Sequence, residues 1–231
     1  MTESIDVIIA CHNEAETIEE VILNHLKILE NSDTFDEFLI TVLDDGSTDQ
    51  SKHKILQLIS VHENIKLISS AKPSGIHEAI NKLVKSTSKK WVYFTPGDNQ
   101  FSSKILSDLI FNFESNVWVI IAKRVNKIKI YSITRIVISF LYRFIVLIIS
   151  GRDTVDAGST KLVRRELFES KFYCNYIVRD AEIIIKAKKD NKLIKVVNIS
   201  FDPRRSGKSN IKIDVVLKSL LDSLNLIKYR F

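Results

Sequence analysis

Short apolar runs alternate with amphipathic stretches along the first half of the chain. IDVIIAC (5–11), FLITVL (38–43), IKLIS (65–69), WVYFT (91–95) and VWVIIA (117–122) are β-branched or aromatic and of strand length. Between them, apolar residues recur at helical spacing. Ile18, Val21, Ile22, Leu26 and Leu29 form one such face, and Ile55, Leu58 and Ile59 a second. Ile76, Ala79, Ile80, Leu83 and Val84 form a third, and Ile105, Leu106, Leu109 and Ile110 a fourth. Strands alternating with helices of this length predict an α/β fold: a mainly parallel sheet flanked by helices. Asn13 with Glu16 three residues later has the spacing of a capping box, which predicts a helix starting directly after the first strand.

The second half is less regular. Residues 128–150 are the most apolar stretch, interrupted by Arg135 and Arg143, so a spanning helix is not expected. Two readings stand: a buried core helix, or an interfacial helix whose arginines reach lipid headgroups, the latter slightly favoured by the net charge. VVLKSLLDSLNLIKYRF at the C-terminus is amphipathic and suits either packing on the domain or lying on a membrane. These features divide the chain into a main domain over 1–210 and a C-terminal amphipathic helix over 211–231.

In parallel sheets, ligands bind beyond the carboxyl ends of the strands. The polar clusters fall there: CHNE, DDGSTD, AKPSG and PGDNQ follow the first four strands in turn. Asp44 and Asp45 admit two readings: an Asp-Gly turn in which Asp45 bonds its own backbone, or a carboxylate that accepts from a nucleoside. Asp98 and Gln100, two apart, would point the same way in an extended segment and offer hard oxygen ligands to Mg²⁺ or Mn²⁺. RRSGKSN (204–210) combines Arg204, Arg205 and Lys208 with Ser209 and Gly207, a composition suited to phosphate or to a solvated loop. No Walker motif and no G-x-G-x-x-G occurs, which removes the main support for kinase, ATPase and dinucleotide-oxidoreductase readings.

Composition narrows this further. The 231 residues carry 34 Lys and Arg against 28 Asp and Glu, a net charge of +6. That balance suggests an anionic partner, whether a phosphorylated small molecule, a lipid surface or nucleic acid. Two cysteines, Cys11 and Cys174, without a Cys-x-x-Cys pair suggest a reducing setting and no disulfide framework. The acidic N-terminal start lacks the basic region of a signal peptide.

The order of motifs resembles family 2 glycosyltransferases of the GT-A fold, especially the dolichol- or polyprenyl-phosphate sugar synthase branch. VIIACHNEAETI, LDDGSTD, GIHEAINKL, WVYFTPGDNQ, DAGSTKLVRRELF, RDAEIIIKA and RRSGKSN stand in the family's order over about residues 5–210. The resemblance implies that Glu14 and Asp45 contact the nucleoside, with Ala10 at the base and Lys72 and Gly75 near the nucleotide. It implies that Asp98 and Gln100 hold Mg²⁺ or Mn²⁺ on the diphosphate. Arg204, Lys208 and Ser209 would bind phosphate of the donor or of a lipid acceptor. Asp156, which opens the acceptor-side segment, would be a catalytic group, and Asp180 and Glu182 are the candidate bases; the other reading of Asp180 and Glu182 is as charges at a helix start.

Two departures stand out: Pro96 occupies the place of the first Asp of Asp-x-Asp, and Cys11-His12 replaces Thr-Tyr or Ser-Tyr. The expected activity is inverting transfer from a nucleotide-sugar donor to polyprenyl phosphate, on the inner face of a membrane in the cytoplasm, with no nucleic-acid partner. The alternatives are a sugar hydroxyl of a growing glycan as acceptor, or a degenerate domain that only binds nucleotide.

Overall fold

The computed structural model describes residues 3–175, 178–200 and 213–230. The chain divides into two compact units, Met1–Phe113 with Thr160–Glu166, and Glu114–Ser159 with Leu167–Phe231.

The first unit is a layered α/β structure. Its strands are β1 (Glu3–Cys11), β2 (Phe35–Asp45), β3 (Ile65–Ser70), β4 (Trp91–Pro96) and β6 (Lys161–Arg164), in the order β3-β2-β1-β4-β6. β1 pairs parallel with β2 and with β4, and β2 pairs parallel with β3. Only β6 runs antiparallel, against β4. Ile5, Val7, Ile8 and Ile9 are buried in succession rather than alternately, as a central parallel strand covered on both faces requires. The helices are α1 (Ile18–Glu30), α2 (Ser51–Ile59), α3 (Ile76–Ser86) and α4 (Lys104–Phe111). α1 buries Ile18, Val21, Ile22, Leu26 and Leu29, the face expected from the spacing.

The expected capping box does not form. α1 begins at Ile18 with Thr17 as the residue before it, and no side chain caps it. Asn13 is instead in the left-handed region, φ 55°, where its amide oxygen accepts from Thr48 N at 2.8 Å. A helix starting at residue 14 would have removed the loop that faces the end of β2.

The second unit contains β5 (Val117–Arg124) paired parallel with β7 (Leu193–Ile199). Its helices are α5 (Lys127–Ile130), α6 (Ile133–Ser150), α7 (Val178–Lys189) and α8 (Ile213–Ser223), the last continued by a 3₁₀ helix, Leu224–Tyr229. α6 packs against α8 and that 3₁₀ helix. α6 is the one described helix long and apolar enough to cross a membrane. It is not a core helix: of its side chains only Val146 and Ser150 are buried, which overturns the first of the two readings of residues 128–150.

Candidate functional site

The carboxyl ends of β1, β2 and β4 gather the polar loops of the first unit. The CHNE and DDGSTD loops are stitched to each other. Asn13 N donates to Ser47 Oγ at 3.0 Å, Glu14 N to Ser51 Oγ at 2.8 Å and Ala15 N to Asp49 Oδ2 at 3.0 Å. His12 Nδ1 donates to the Asp45 carbonyl at 2.9 Å, so the residue that departs from the family pattern still closes this seam.

The two aspartates of β2 do different work, in the opposite assignment to the turn reading. It is Asp44 that caps the turn, accepting from Ser47 N at 3.0 Å. The Asp45 carboxylate reaches the loop after β3 instead. It accepts from Ser74 N at 2.8 Å, Ser74 Oγ at 2.6 Å and Gly75 N at 2.9 Å. Burial by itself would raise its pKa, but these hydrogen bonds outweigh burial and hold the carboxyl below its ordinary value. Lys82 Nζ on α3 donates to Ser70 Oγ at 2.9 Å and Ser74 Oγ at 3.0 Å, completing the clasp. Gly46, at φ 71°, makes the close approach: a Cβ there would sit 2.8 Å from the backbone of Lys72 and Pro73. Lys72 itself is exposed at the rim.

The PGDN segment closes the third side. Gly97 N donates to the carbonyl of Ala10 at 2.9 Å, and Thr17 Oγ1 donates to the carbonyl of Gly97 at 2.7 Å. Asp98 and Gln100 do come together, but not along an extended strand: Asn99, at φ 55°, turns the chain between them. Gln100 N donates to Asp98 Oδ1 at 3.1 Å, and the Gln100 side-chain amide donates to Asp98 Oδ2. Glu14 lies near: burial first, then the charges of Asp98 and Asp49, raise its carboxyl above the ordinary value. Cys11 is a buried thiol, pushed up to about 11 by burial, and so is no nucleophile.

These groups test the metal. Among the described residues, no group of three His, Cys, Asp or Glu could hold an ion. Pro96, which pairs with Ala10 at the end of β4, contributes no ligand atom from its side chain. Asp98 nonetheless offers one carboxylate to Mg²⁺ or Mn²⁺, which keep several waters and take one or two carboxylates with substrate phosphates; the Gln100 amide, now donating to Asp98, would have to turn its oxygen inward to join it.

The remaining candidates belong to the second unit. Asp156 is held in ion pairs, by Lys127 Nζ at 2.6 Å and by Arg124 Nη2 at 2.5 Å, with Arg124 N and Nε also donating. Burial would raise its carboxyl, yet Arg124 and Lys127 lower it below the ordinary value. Its geometry is that of an anchor, not of the catalytic group expected from its place in the motif. Glu182 is fully buried and accepts from Tyr173 N at 2.6 Å, Cys174 N at 3.0 Å and Tyr229 Oη at 2.6 Å. A base must reach its acceptor's proton, and donors on both oxygens of a buried carboxylate leave no such access. Asp180, half-buried in the first turn of α7, is the base candidate that this objection does not touch. Arg204, Lys208 and Ser209 lie outside the described residues.

Sequence reasoning missed Ser74, Lys82 and Thr17. Lys82 carried a signal, since it lies seven residues after Gly75 on the helix that the resemblance identified.

The Glycosyl transferase family 2 model matches residues 6–172. The chain belongs to this family. Its members are glycosyltransferases using nucleotide-sugar donors, and this one is an enzyme of that class with a GT-A-type fold. Solved structures of glucosyl-3-phosphoglycerate synthase from Mycobacterium tuberculosis share the fold. The complex with Mn²⁺, UDP-glucose and phosphoglyceric acid has a TM-score of 0.71 and 18% identity over 98% of this chain and 80% of that one. The complex with Mn²⁺ and UDP-glucose has a TM-score of 0.70 and 19% identity over 98% of this chain and 79% of that one. No curated protein matches the glycosyltransferase in sequence.

Proposed function

We propose that this glycosyltransferase moves a sugar, with inversion, from a nucleoside-diphosphate donor to a polyprenyl phosphate at the inner, cytoplasmic face of a membrane. The observation that carries the donor half is the gathering of Asp45, Glu14 and Asp98 at the carboxyl ends of three parallel strands. Loops there are bonded to one another before any ligand arrives, so little ordering is left for binding. Asp98, with Gln100, would hold the divalent ion, which would supply charge stabilisation to the departing diphosphate. Asp45 keeps the 72–75 loop closed against the nucleotide, and Lys72 and Lys82 add positive charge on that side. Glu14 and Ala10 line the nucleoside end. The bound Mn²⁺ and UDP-glucose of the structural relatives support this reading of the donor side.

The acceptor half rests on α6, an apolar helix left largely uncovered. A lipid phosphate is already anionic and attacks the anomeric carbon without a base, which suits a chain whose Glu182 and Asp156 are both tied down. A hydroxyl acceptor would need a base, and Asp180 would then supply it. In the proposed reading, Arg204, Lys208 and Ser209 take the lipid phosphate.

The test is a turnover assay with a panel of nucleotide sugars, run with polyprenyl phosphate, phosphoglyceric acid or a glycan as acceptor. Turnover with polyprenyl phosphate alone is the expected result. Turnover confined to phosphoglyceric acid or a glycan overturns the acceptor, and nucleotide binding without turnover on any acceptor leaves a degenerate binding domain.

A further inference from the structure

The helices α6 and α8 with its 3₁₀ extension bury Val146, Leu226 and Tyr229 but leave apolar stripes outside. On α6, Val137, Phe140, Phe144 and Ile148 recur at spacings of three and four and are all exposed, Phe140 by 67%. On the C-terminal segment, Leu217, Leu221 and Leu224 do the same, Leu221 by 70%. The side chains turned inward include serines: Ser150, Ser219 and Ser223 are buried. Ser150 Oγ donates to Val146 O and Ser223 Oγ to Leu220 O, each satisfied within its own helix. A helix that only packs on a water-soluble domain shows the reverse, an apolar stripe inward and a polar face outward. α6 packs against α8 and the 3₁₀ helix, so the two stripes lie on helices in contact with each other. Exposed apolar patches of this kind mark an interaction surface.

Charge decides the occupant. α6 and the described C-terminal residues 213–230 carry Arg135, Arg143, Lys218, Lys228 and Arg230 against Asp214 and Asp222, a balance that stays positive although Arg143 is paired with Asp153. A symmetric dimer would lay this patch on its own copy and set like charges against each other. An anionic lipid surface receives both the apolar stripes and the cations. Spanning fits less well. The 18 residues of α6 reach roughly 27 Å, short of the about 30 Å hydrocarbon layer. Its Arg143 is paired with Asp153 at 2.6 Å in the middle of that length.

We infer that α6 and the C-terminal helix form one monotopic docking face that lies in the headgroup region of an anionic bilayer, with Phe140, Phe144 and Leu221 entering the acyl boundary. This deepens the proposed function by naming the surface that would bring the enzyme to a lipid acceptor.

The test is flotation of the full chain with vesicles of neutral lipid and of neutral plus anionic lipid. The protein is expected to float with the anionic vesicles at low salt and to be partly released at high salt. The triple variant F140S/F144S/L221S, with unchanged circular dichroism, should lose on the order of a hundredfold in partitioning, because each exposed side chain adds buried apolar area. As a second reading, F144W should shift its emission to the blue on anionic vesicles. No flotation at any salt, undiminished flotation of the triple variant, or no shift of F144W overturns the inference. So does a concentration-dependent dimer that the triple variant abolishes without flotation, which would make the occupant a second copy. Turnover of the wild type on a short-chain, water-soluble prenyl phosphate separates the two proposals: present without flotation, it keeps the acceptor reading and removes the docking face. Its absence in the wild type counts against the acceptor reading alone.

Discussion

The Tyr229 hydroxyl donates to Glu182 Oε1 at 2.6 Å, joining the end of the C-terminal 3₁₀ helix to the middle of α7. Two backbone donors, from Tyr173 and Cys174, complete the shell of that buried carboxylate. Tyr229 packs edge-on against Tyr173, with ring centroids 5.6 Å apart. One carboxylate therefore ties together α7, the 171–175 segment and the helix that carries half of the proposed docking face.

If Glu182 is an anchor, its removal should show in stability. Glu182→Ala leaves three donors, two of them buried, without an acceptor and is expected to destabilise by about 3 kcal/mol or more, and Tyr229→Phe by about 1–3 kcal/mol. Urea unfolding of both variants checks this. A Glu182→Gln variant of wild-type stability that nonetheless loses turnover would return Glu182 to the role of base.

Asp98 is expected to govern chemistry and not folding. Asp98→Asn should lower turnover by on the order of 10²-fold, the scale of a lost charge clamp, with little change in unfolding midpoint. Turnover should also fall in EDTA and return with Mn²⁺. Full wild-type activity in EDTA together with an unimpaired Asp98→Asn would remove the metal from the scheme.

Asp45 should act on nucleotide affinity through the loop it holds. Asp45→Ala frees Ser74 and Gly75 and is expected to weaken binding of the nucleoside diphosphate by about 1–3 kcal/mol. Ser74→Ala, which keeps the backbone bonds, should cost less. Calorimetry on the two variants decides whether the clasp matters. Equal and unchanged affinities would place Asp45 outside the site.

Lys186 gives the second unit a signature in pH. It is buried, with Nζ donating to the carbonyls of Leu167 at 2.7 Å and Ser170 at 3.0 Å, and burial brings its pKa down to about 8 from 10.5. The folded pKa lies below the unfolded one, so between these values the unfolded chain binds the extra proton. Stability should therefore rise as pH increases from about 8 towards 10.5. Unfolding midpoints across this window, compared with Lys186→Met, check the sign. A midpoint in the wild type that falls relative to the variant would contradict it.

Much of the first unit could be read from residue order. Four of the five apolar runs became its strands, and the fifth became β5 of the second unit, because continuous β-branched stretches suit a sheet covered on both faces, and Ile5–Ile9 are buried accordingly. The four polar loops had to collect at one edge once the strands ran parallel. Local pattern does not determine which donor a carboxylate meets. Asp44 and Asp45 are adjacent, yet one caps its own turn and the other reaches Ser74, 29 positions away. Asn13 looked like a helix cap because the spacing to Glu16 is right; the bonds offered by Ser47 and Thr48 across the sheet edge won instead. Asp156 and Glu182 carry acidic labels that suit catalysis, and only the packed structure surrounds them with Arg124 and Lys127, or with Tyr229 and two backbone amides. The apolar character of residues 128–150 was plain, but periodicity cannot say whether a helix faces a protein core or a lipid surface, since both receive the same kind of side chain. That choice came from tertiary packing, which turned Ser150 inward and left Phe140 and Phe144 outside.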